Sequence, residues 1–544
     1  MTADADVVVA GAGHNSLIAA CYLAKAGYRC LVLDARDVPG GGTTTEELLL
    51  PGYKVDTCAT GHTLIRVNPL LTRDELGLIR DYGLRYVDPD PVACVAFPDG
   101  EQLTMWLDKD RTAAEIARFN RRDADAYLRL LTNYDEVKSA FSGAQFTPVG
   151  FGPSLDQRLS EHPRGRVWQR IAQLSPWEVI RHEFTDRHVQ AFMLWMAFQT
   201  NQAVDMPGSG VLAYSLVFGR QQRSWSILPG GSQALVNALV RYLEDHGSTI
   251  VTGQTVTRLI LDGDRCVGVE AVDTSTGDTG TGGNGTGAGH EYRAARAVLS
   301  TIHVTHLRGM APASRWPEEF HYSVDTYDLG IPGFGVYLAT SAPPVFEAPD
   351  DAKRTAVSAG TVGWPEDVIR LGADLRAGRF IDGVPWLLVA TPTLADPTRA
   401  PAGKHTVKLL SQNVYDVPDW DVAKEEHARR QLARLREAAP NFTDDVIEAM
   451  LVKSPKDYEK LNPHMVHGAF HGGDRGIAQS GGLRPAPGWG SHRMPIAGLY
   501  QTGATTHPGG SVTGAPGRNA AMVLLHDLGH DPAEILSPSR HGPA

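Results

Sequence analysis

The stretch that most constrains this chain is its first forty-two residues, where an apolar run, Val7-Val8-Val9-Ala10, leads into Gly11-Ala12-Gly13-His14-Asn15-Ser16. A strand ending in Gly11 permits a tight turn, and the absent side chain of Gly13 lets a pyrophosphate approach the backbone where the next helix begins. Leu17, Ala20, Cys21, Leu23 and Ala24 recur at helical spacing and Gly27 follows as a stop, which predicts a helix over 16–26. A second apolar strand, Cys30-Leu31-Val32-Leu33, delivers Asp34. It lies about 20 residues past the glycines, where a carboxylate accepts hydrogen bonds from ribose hydroxyls. Glycines in such a turn can serve the turn alone, but strand, helix and acid in register point to a dinucleotide cradle. Ser16 stands where the fingerprint has its third glycine, and a serine is small enough to be tolerated there. Residues 36–45, with Gly40-Gly41-Gly42-Thr43, have no part in a minimal NAD site. Their glycines bring backbone amides to the phosphates of a longer cofactor from a second side.

A chain of 544 residues is too long for one compact core, so at least two domains are expected. The net charge of −11, from 51 basic and 62 acidic residues, argues against a nucleic-acid partner. Cys21, Cys30, Cys58, Cys94 and Cys266 show no C-x-x-C spacing and read as packed, reduced thiols. The first strand starts within a few residues of Met1, leaving no room for a signal peptide, and no apolar run reaches the roughly 20 residues of a spanning helix. A cytoplasmic location is expected, with peripheral membrane contact left open.

Along the chain, residues 51–57 and 92–97 read as strands, the latter returning through a turn at 98–100 to 102–107. From 112 to 140 the period is helical and predicts one insertion. Residues 191–198, AFMLWMAF, are apolar on all sides, which fits buried core or the wall of an apolar tunnel. A second α/β unit follows Pro229-Gly230-Gly231, with a helix to about 246, a strand at 249–251, and paired strands at 256–261 and 266–272. Residues 273–290 are a low-complexity loop rich in Gly and Thr, and 295–300 resumes a buried strand. Further strands are expected near 335–338 and 386–391, and a charged amphipathic helix near 423–438. His464, His467 and His471 fall in a glycine-rich stretch without H-E-x-x-H spacing, which suits a loop beside a ligand better than a metal site. Finally a strand ends at Gly503, and a helix begins with Pro516 in its first turn. Its amides and positive end suit an electron-rich carbonyl or a developing anion.

These motifs carry a resemblance. Gly11-Ala12-Gly13-His14-Asn15-Ser16-Leu17 with Asp34 and Gly40-Gly41-Gly42, together with residues 503–510 and Gly514-Ala515-Pro516-Gly517, resemble the phytoene dehydrogenase-like (carotenoid desaturase and isomerase-like) FAD-dependent oxidoreductases. The resemblance implies an α/β fold. A Rossmann-type FAD-binding domain would be assembled from the discontinuous segments 1–70, 226–305 and 484–544, with a mixed α+β substrate domain from 71–225 and 306–483. It places Gly11, Gly13, His14, Asn15, Asp34, Ala35, Gly41, Gly42 and Thr43 around the ADP half of FAD, and the backbone of Val256 at the adenine. Gly503, Ala504, Gly514, Ala515 and Pro516 would lie at the flavin end. His507 and His62 are the candidate catalytic proton acceptors, each weighed against a structural role. The implied activity is dehydrogenation or desaturation of an apolar small molecule by hydride transfer to FAD, with oxygen, a quinone or NAD as the open choices of electron acceptor. A redox-neutral FAD-dependent isomerase and a non-catalytic binding protein on the same scaffold are the alternatives. No metal is implied.

Overall fold

Alternation along β1 (Ala5–Ala10) sets the architecture. Val7 and Val9 point to one face of a sheet and Val8 and Ala10 to the other, and all four are fully buried, so both faces must be covered. The computed structural model describes residues 3–274, 289–347 and 353–538. In it β1 lies between two parallel partners, β2 (Cys30–Leu33) and the strand His290–Ser300, with Val8 opposite Leu31 and Val298. The strands Thr249–Val251 and Leu499–Gln501 extend the parallel part outwards. The first half of His290–Ser300 also pairs antiparallel with Arg265–Asp273, which pairs with Gln254–Asp262. One sheet therefore draws on three stretches of chain far apart in sequence.

Helix α1 (His14–Lys25) packs on the Val7/Val9 face, flanked by the helices Gln233–Asp245 and Ala515–Asp527. Covered by sheet below and helices at the sides, it buries every residue from Asn15 to Ala24. Ser16 does more than fit: its hydroxyl lies 2.5 Å from the carbonyl of Gly11 and 2.9 Å from that of Gly13, tying the turn to the helix. The close approach that a third glycine would allow is instead made by Gly517 of the C-terminal helix, where a Cβ would come within 2.2 Å of the Asn15 carbonyl oxygen.

A second, mostly antiparallel sheet runs in the order Ile447–Lys453, Gly333–Thr340, His405–Gln412, Trp386–Ala390, Ser358–Val362, Ala93–Ala96 and Gln102–Met105. Helices from the 109–223 region cover one side of it. The helical insertion expected over 112–140 consists of two helices, Lys109–Ala117 and Arg121–Gln145. Asn120 breaks it by accepting from the amides of Arg122 and Asp123, as an N-cap does, which outweighs the continuous helical period. Only Val55–Asp56 of the strand expected at 51–57 is paired. Most of the low-complexity loop expected at 273–290 lies outside the described residues. The apolar segment 191–198 belongs to the helix Arg187–Phe198 and is core: Trp195 donates its indole N–H to the Leu387 carbonyl at 3.0 Å, and Trp386 donates to the Trp195 carbonyl at the same distance.

Two buried ion networks fasten distant segments. Arg518 makes a bidentate bond to Glu75, both contacts 2.9 Å, and Tyr22 donates to the same carboxylate at 2.6 Å. Arg399 reaches Asp56 at 2.5 Å, Asp396 at 3.0 Å and the Leu228 carbonyl at 2.8 Å, with its side chain wholly excluded from solvent. Removing the cation would leave two buried carboxylates without a counter-charge, a loss typically worth about 3–5 kcal/mol. Arg399→Met is therefore expected to lower the denaturation midpoint sharply, measured by circular dichroism in urea. A midpoint unchanged from wild type would show that water or rearrangement replaces the pair.

Candidate active site

Where β1 ends and α1 begins, the chain makes two glycine turns that touch. Gly40 donates its amide to the Ala12 carbonyl at 2.8 Å, Gly13 bridges Gly40, and a Cβ on Gly41 would sit 3.3 Å from the Gly13 Cα. Asp34, at the end of β2, accepts from the amides of Ala12 at 2.7 Å and Arg36 at 2.9 Å, which orients its carboxylate at the turn. Burial raises its pKa, and those two amides and the Arg36 guanidinium pull it down again in part. The start of α1 has no side-chain cap and no acid in its first turn. Its positive end is thus free to face an anion.

These turns form one end of a cavity of about 1400 Å³. That exceeds the ~300–1,000 Å³ usual for one small ligand, leaving room for a dinucleotide and a substrate together. Of the residues expected at the cofactor, the structure brings Gly11, Gly13, His14, Asn15, Asp34, Ala35, Gly41, Gly42, Thr43, Val256, Gly503 and Ala504 to this one wall. Four buried polar atoms of its lining have no protein partner: His14 Nε2, Asn15 Oδ1, Asn201 Nδ2 and His471 Nδ1. A Cβ on Gly13, whose φ of −69° any residue can adopt, would meet no protein atom within 4 Å. The open space at the uncapped start of α1 fits a bound dinucleotide diphosphate.

Five expected site residues do not line the cavity. Gly514, Ala515 and Pro516 stand behind it, and Gly510, Ser511 and Val512 form the wall in their place. At Gly514, with φ +66°, an added Cβ would meet Ile18 at 2.9 Å and Asn68 at 3.0 Å, so the glycine serves helix packing rather than ligand approach. His62 is fully buried behind Gly61. Its Nε2 pairs with the Ser232 hydroxyl at 2.9 Å, and burial depresses its pKa to about 3. His507 donates from Nε2 to the Ala144 carbonyl at 3.0 Å, and burial lowers its pKa too. Neither histidine lines the cavity, and each uses Nε2 in a hydrogen bond within the protein while its buried Nδ1 has no protein partner. A position next to a glycine turn in sequence says nothing about which side of the wall a ring occupies.

His464, His467 and His471 do line the cavity, as a loop beside a ligand would. Burial holds His464 near a pKa of about 4 and His471 near about 3, so both are neutral at physiological pH. Among the described residues no cluster of three or more His, Cys, Asp or Glu is placed to hold a metal. Sequence reasoning missed Lys408, whose buried ammonium donates to the carbonyls of Cys58 and Asp56. A signal existed, since Lys408 interrupts the apolar strand Val407-Leu409-Leu410. Arg220 and Trp225 also line the cavity and carry no comparable signal, because a cation near a helix C-terminus is ordinary.

A family profile for flavin containing amine oxidoreductases matches residues 17–525. The chain belongs to that family. Its cofactor is FAD, and it is an oxidoreductase. A limonene dehydrogenase polypeptide of Castellaniella defragrans is 27% identical, covering 99% of this chain and 98% of that protein. The neurosporene-forming phytoene desaturase of Cereibacter sphaeroides is 25% identical over 96% of this chain and 95% of its own. The solved structure of wild-type putrescine oxidase bound to putrescine superposes with a TM-score of 0.59 at 16% identity, over 96% of this chain and 98% of that one, which shows a shared fold.

Two glycines separate cofactor room from packing. Gly13→Ala is expected to leave the unfolding midpoint of the apoprotein within about 0.5 kcal/mol of wild type, while FAD affinity falls because the methyl group enters the diphosphate space. Gly514→Ala is expected to destabilise the fold by more than about 1 kcal/mol, through positive φ and contact with Ile18. Fluorescence titration with FAD and urea unfolding measure the two effects, and equal affinities for Gly13→Ala and wild type would place the diphosphate elsewhere.

Proposed function

We propose that the protein oxidises an apolar organic substrate by hydride transfer to FAD, with the chain divided into an FAD domain of 1–70, 226–305 and 484–544 and a substrate domain of 71–225 and 306–483. The observation that carries this reading is the one cavity lined both by the glycine cradle and by apolar residues, Leu388, Ala390 and Leu410 of the other sheet with Leu64 and Leu216. Bound FAD supplies the two-electron acceptor for a hydride leaving a substrate carbon. The first turn of α1 holds the diphosphate, and Asp34 accepts from ribose hydroxyls. The leucine walls orient the substrate by shape and exclude water. The names of the limonene and phytoene relatives support an apolar substrate here.

A cationic amine suits the cavity less well. The carboxylates that line it are Asp34, which sits in the nucleotide cradle, Glu270, paired with Arg258, and Glu459, bonded by the Tyr415 hydroxyl and the His467 amide. Among the described residues no helix is long and apolar enough to cross a membrane.

Anaerobic mixing of the holoprotein with a panel of terpenoids, carotenoids and long-chain apolar compounds, neutral and anionic, is expected to bleach the flavin with at least one of them. Bleaching by primary amines alone would overturn the reading. Asp34→Ala is expected to weaken FAD binding by one to two powers of ten, the worth of a charge-assisted acceptor at about 1.5–3 kcal/mol. Because burial raises the Asp34 pKa, wild-type FAD affinity should begin to fall on acidification above the usual carboxylate range, as protonation removes the acceptor. Asp34→Asn should bind more weakly and show a flat profile over that window, measured by equilibrium dialysis.

A further inference from the structure

Arg220 lies near the end of the helix Leu212–Arg223, is 6% exposed and lines the cavity. Its hydrogen bonds go to neutral groups. One terminal nitrogen donates to the Ser358 hydroxyl at 3.3 Å and the other to the side-chain oxygen of Gln199, and the guanidinium stands 5.5 Å from the Trp225 ring centre. Two of its five N–H donors are thereby used.

Three other buried arginines of this protein are compensated differently. Arg399 meets Asp56 and Asp396, Arg518 meets Glu75 in a bidentate pair, and Arg484 is ringed by backbone carbonyls. The three carboxylates lining the cavity are engaged elsewhere, and no described acid forms an ion pair with Arg220. Burial brings its pKa down to about 9, which still leaves it charged at neutral pH. A guanidinium taken out of water without a counter-charge is costly, and the fold tolerates one here at the edge of an open cavity.

We infer that the substrate is amphipathic: a carboxylate or equivalent oxyanion pairs with Arg220, and an apolar body lies along Leu216, Leu388 and Leu410. This rests on the dehydrogenase reading above and narrows its substrate class. The diphosphate of FAD does not take this role, because its place is the start of α1, whereas Gln199 and Ser358, the partners of Arg220, belong to the region of the second sheet. The planar fork of arginine suits a carboxylate at two points, while the indole of Trp225 offers a flat apolar face beside it.

The test uses the FAD-loaded protein at neutral pH, with decanoate and 1-decanol as probes of equal chain length, read as perturbation of the flavin absorption band. Wild type is expected to bind decanoate saturably and at least tenfold more tightly than decanol. Arg220→Gln should lose at least tenfold in decanoate affinity with decanol unchanged, and Arg220→Lys should recover part of that loss. Flavin content and thermal unfolding of each variant are measured on the same samples. Equal affinity of wild type for the two probes, or an equal loss of both probes in Arg220→Gln, overturns the inference and leaves Arg220 as a tie between helix and strand. A protein that takes up FAD and is bleached by neutral hydrocarbons yet ignores decanoate fails this inference alone. If no FAD is taken up, the functional reading fails, and decanoate binding is then decided by calorimetry.

Discussion

The start of α1 is the point on which the structure depends. An uncapped helix end has unpaired amides, and here it is held in place by segments hundreds of residues apart. The Asp34 carboxylate takes the Ala12 amide, Gly40 donates to the Ala12 carbonyl, and Gly517 lets the C-terminal helix press against Asn15. Arg518, one residue further on, then locks that helix to Glu75 and Tyr22. Each contact rigidifies the same few backbone amides, and rigid donors lose little entropy when an anion arrives.

The second constraint is the division of labour between the two sheets. The parallel sheet ends in glycines and a carboxylate and can bind a nucleotide almost irrespective of what reacts there. The antiparallel sheet presents Leu388, Lys408 and Leu410 to the same cavity. Proteins with a common flavin cradle can therefore differ in substrate through this second sheet, which is the pattern expected when a fold carries many functions. Identities of 25–28% over nearly the whole chain leave ample room for such change.

Much of the fold is legible in the sequence, for reasons that can be traced to particular residues. The elements around β1, α1 and β2 follow from strict alternation and helical spacing, and the residues from Gly11 to Thr43 sit inside a motif that only works in one geometry. With Val256 they come together at one wall of the cavity, as that geometry requires. Depth is not legible. His62, His507 and Gly514 lie one to three residues in sequence from residues that line the cavity, yet none of the three lines it. Arg220 and Trp225 come from a helix and its exit whose apolar pattern explains the packing but not the one charged residue facing inwards. The break at Asn120 escapes a reading by period, because local capping competes with a periodicity that, by itself, runs straight through it.

The strand His290–Ser300 has a consequence for how the protein comes into being. It is the shared edge between the parallel strands, the antiparallel pair and the late strand Leu499–Gln501, and the helix Ala515–Asp527 must follow before α1 is enclosed. During synthesis α1 therefore gains the helix Gln233–Asp245 first, and its last side is not enclosed until nearly five hundred residues have followed it. Contacts of such sequence separation form slowly, and a half-covered apolar helix is an invitation to chaperones in the meantime. The cradle at the start of α1 is thus completed late in the life of the chain.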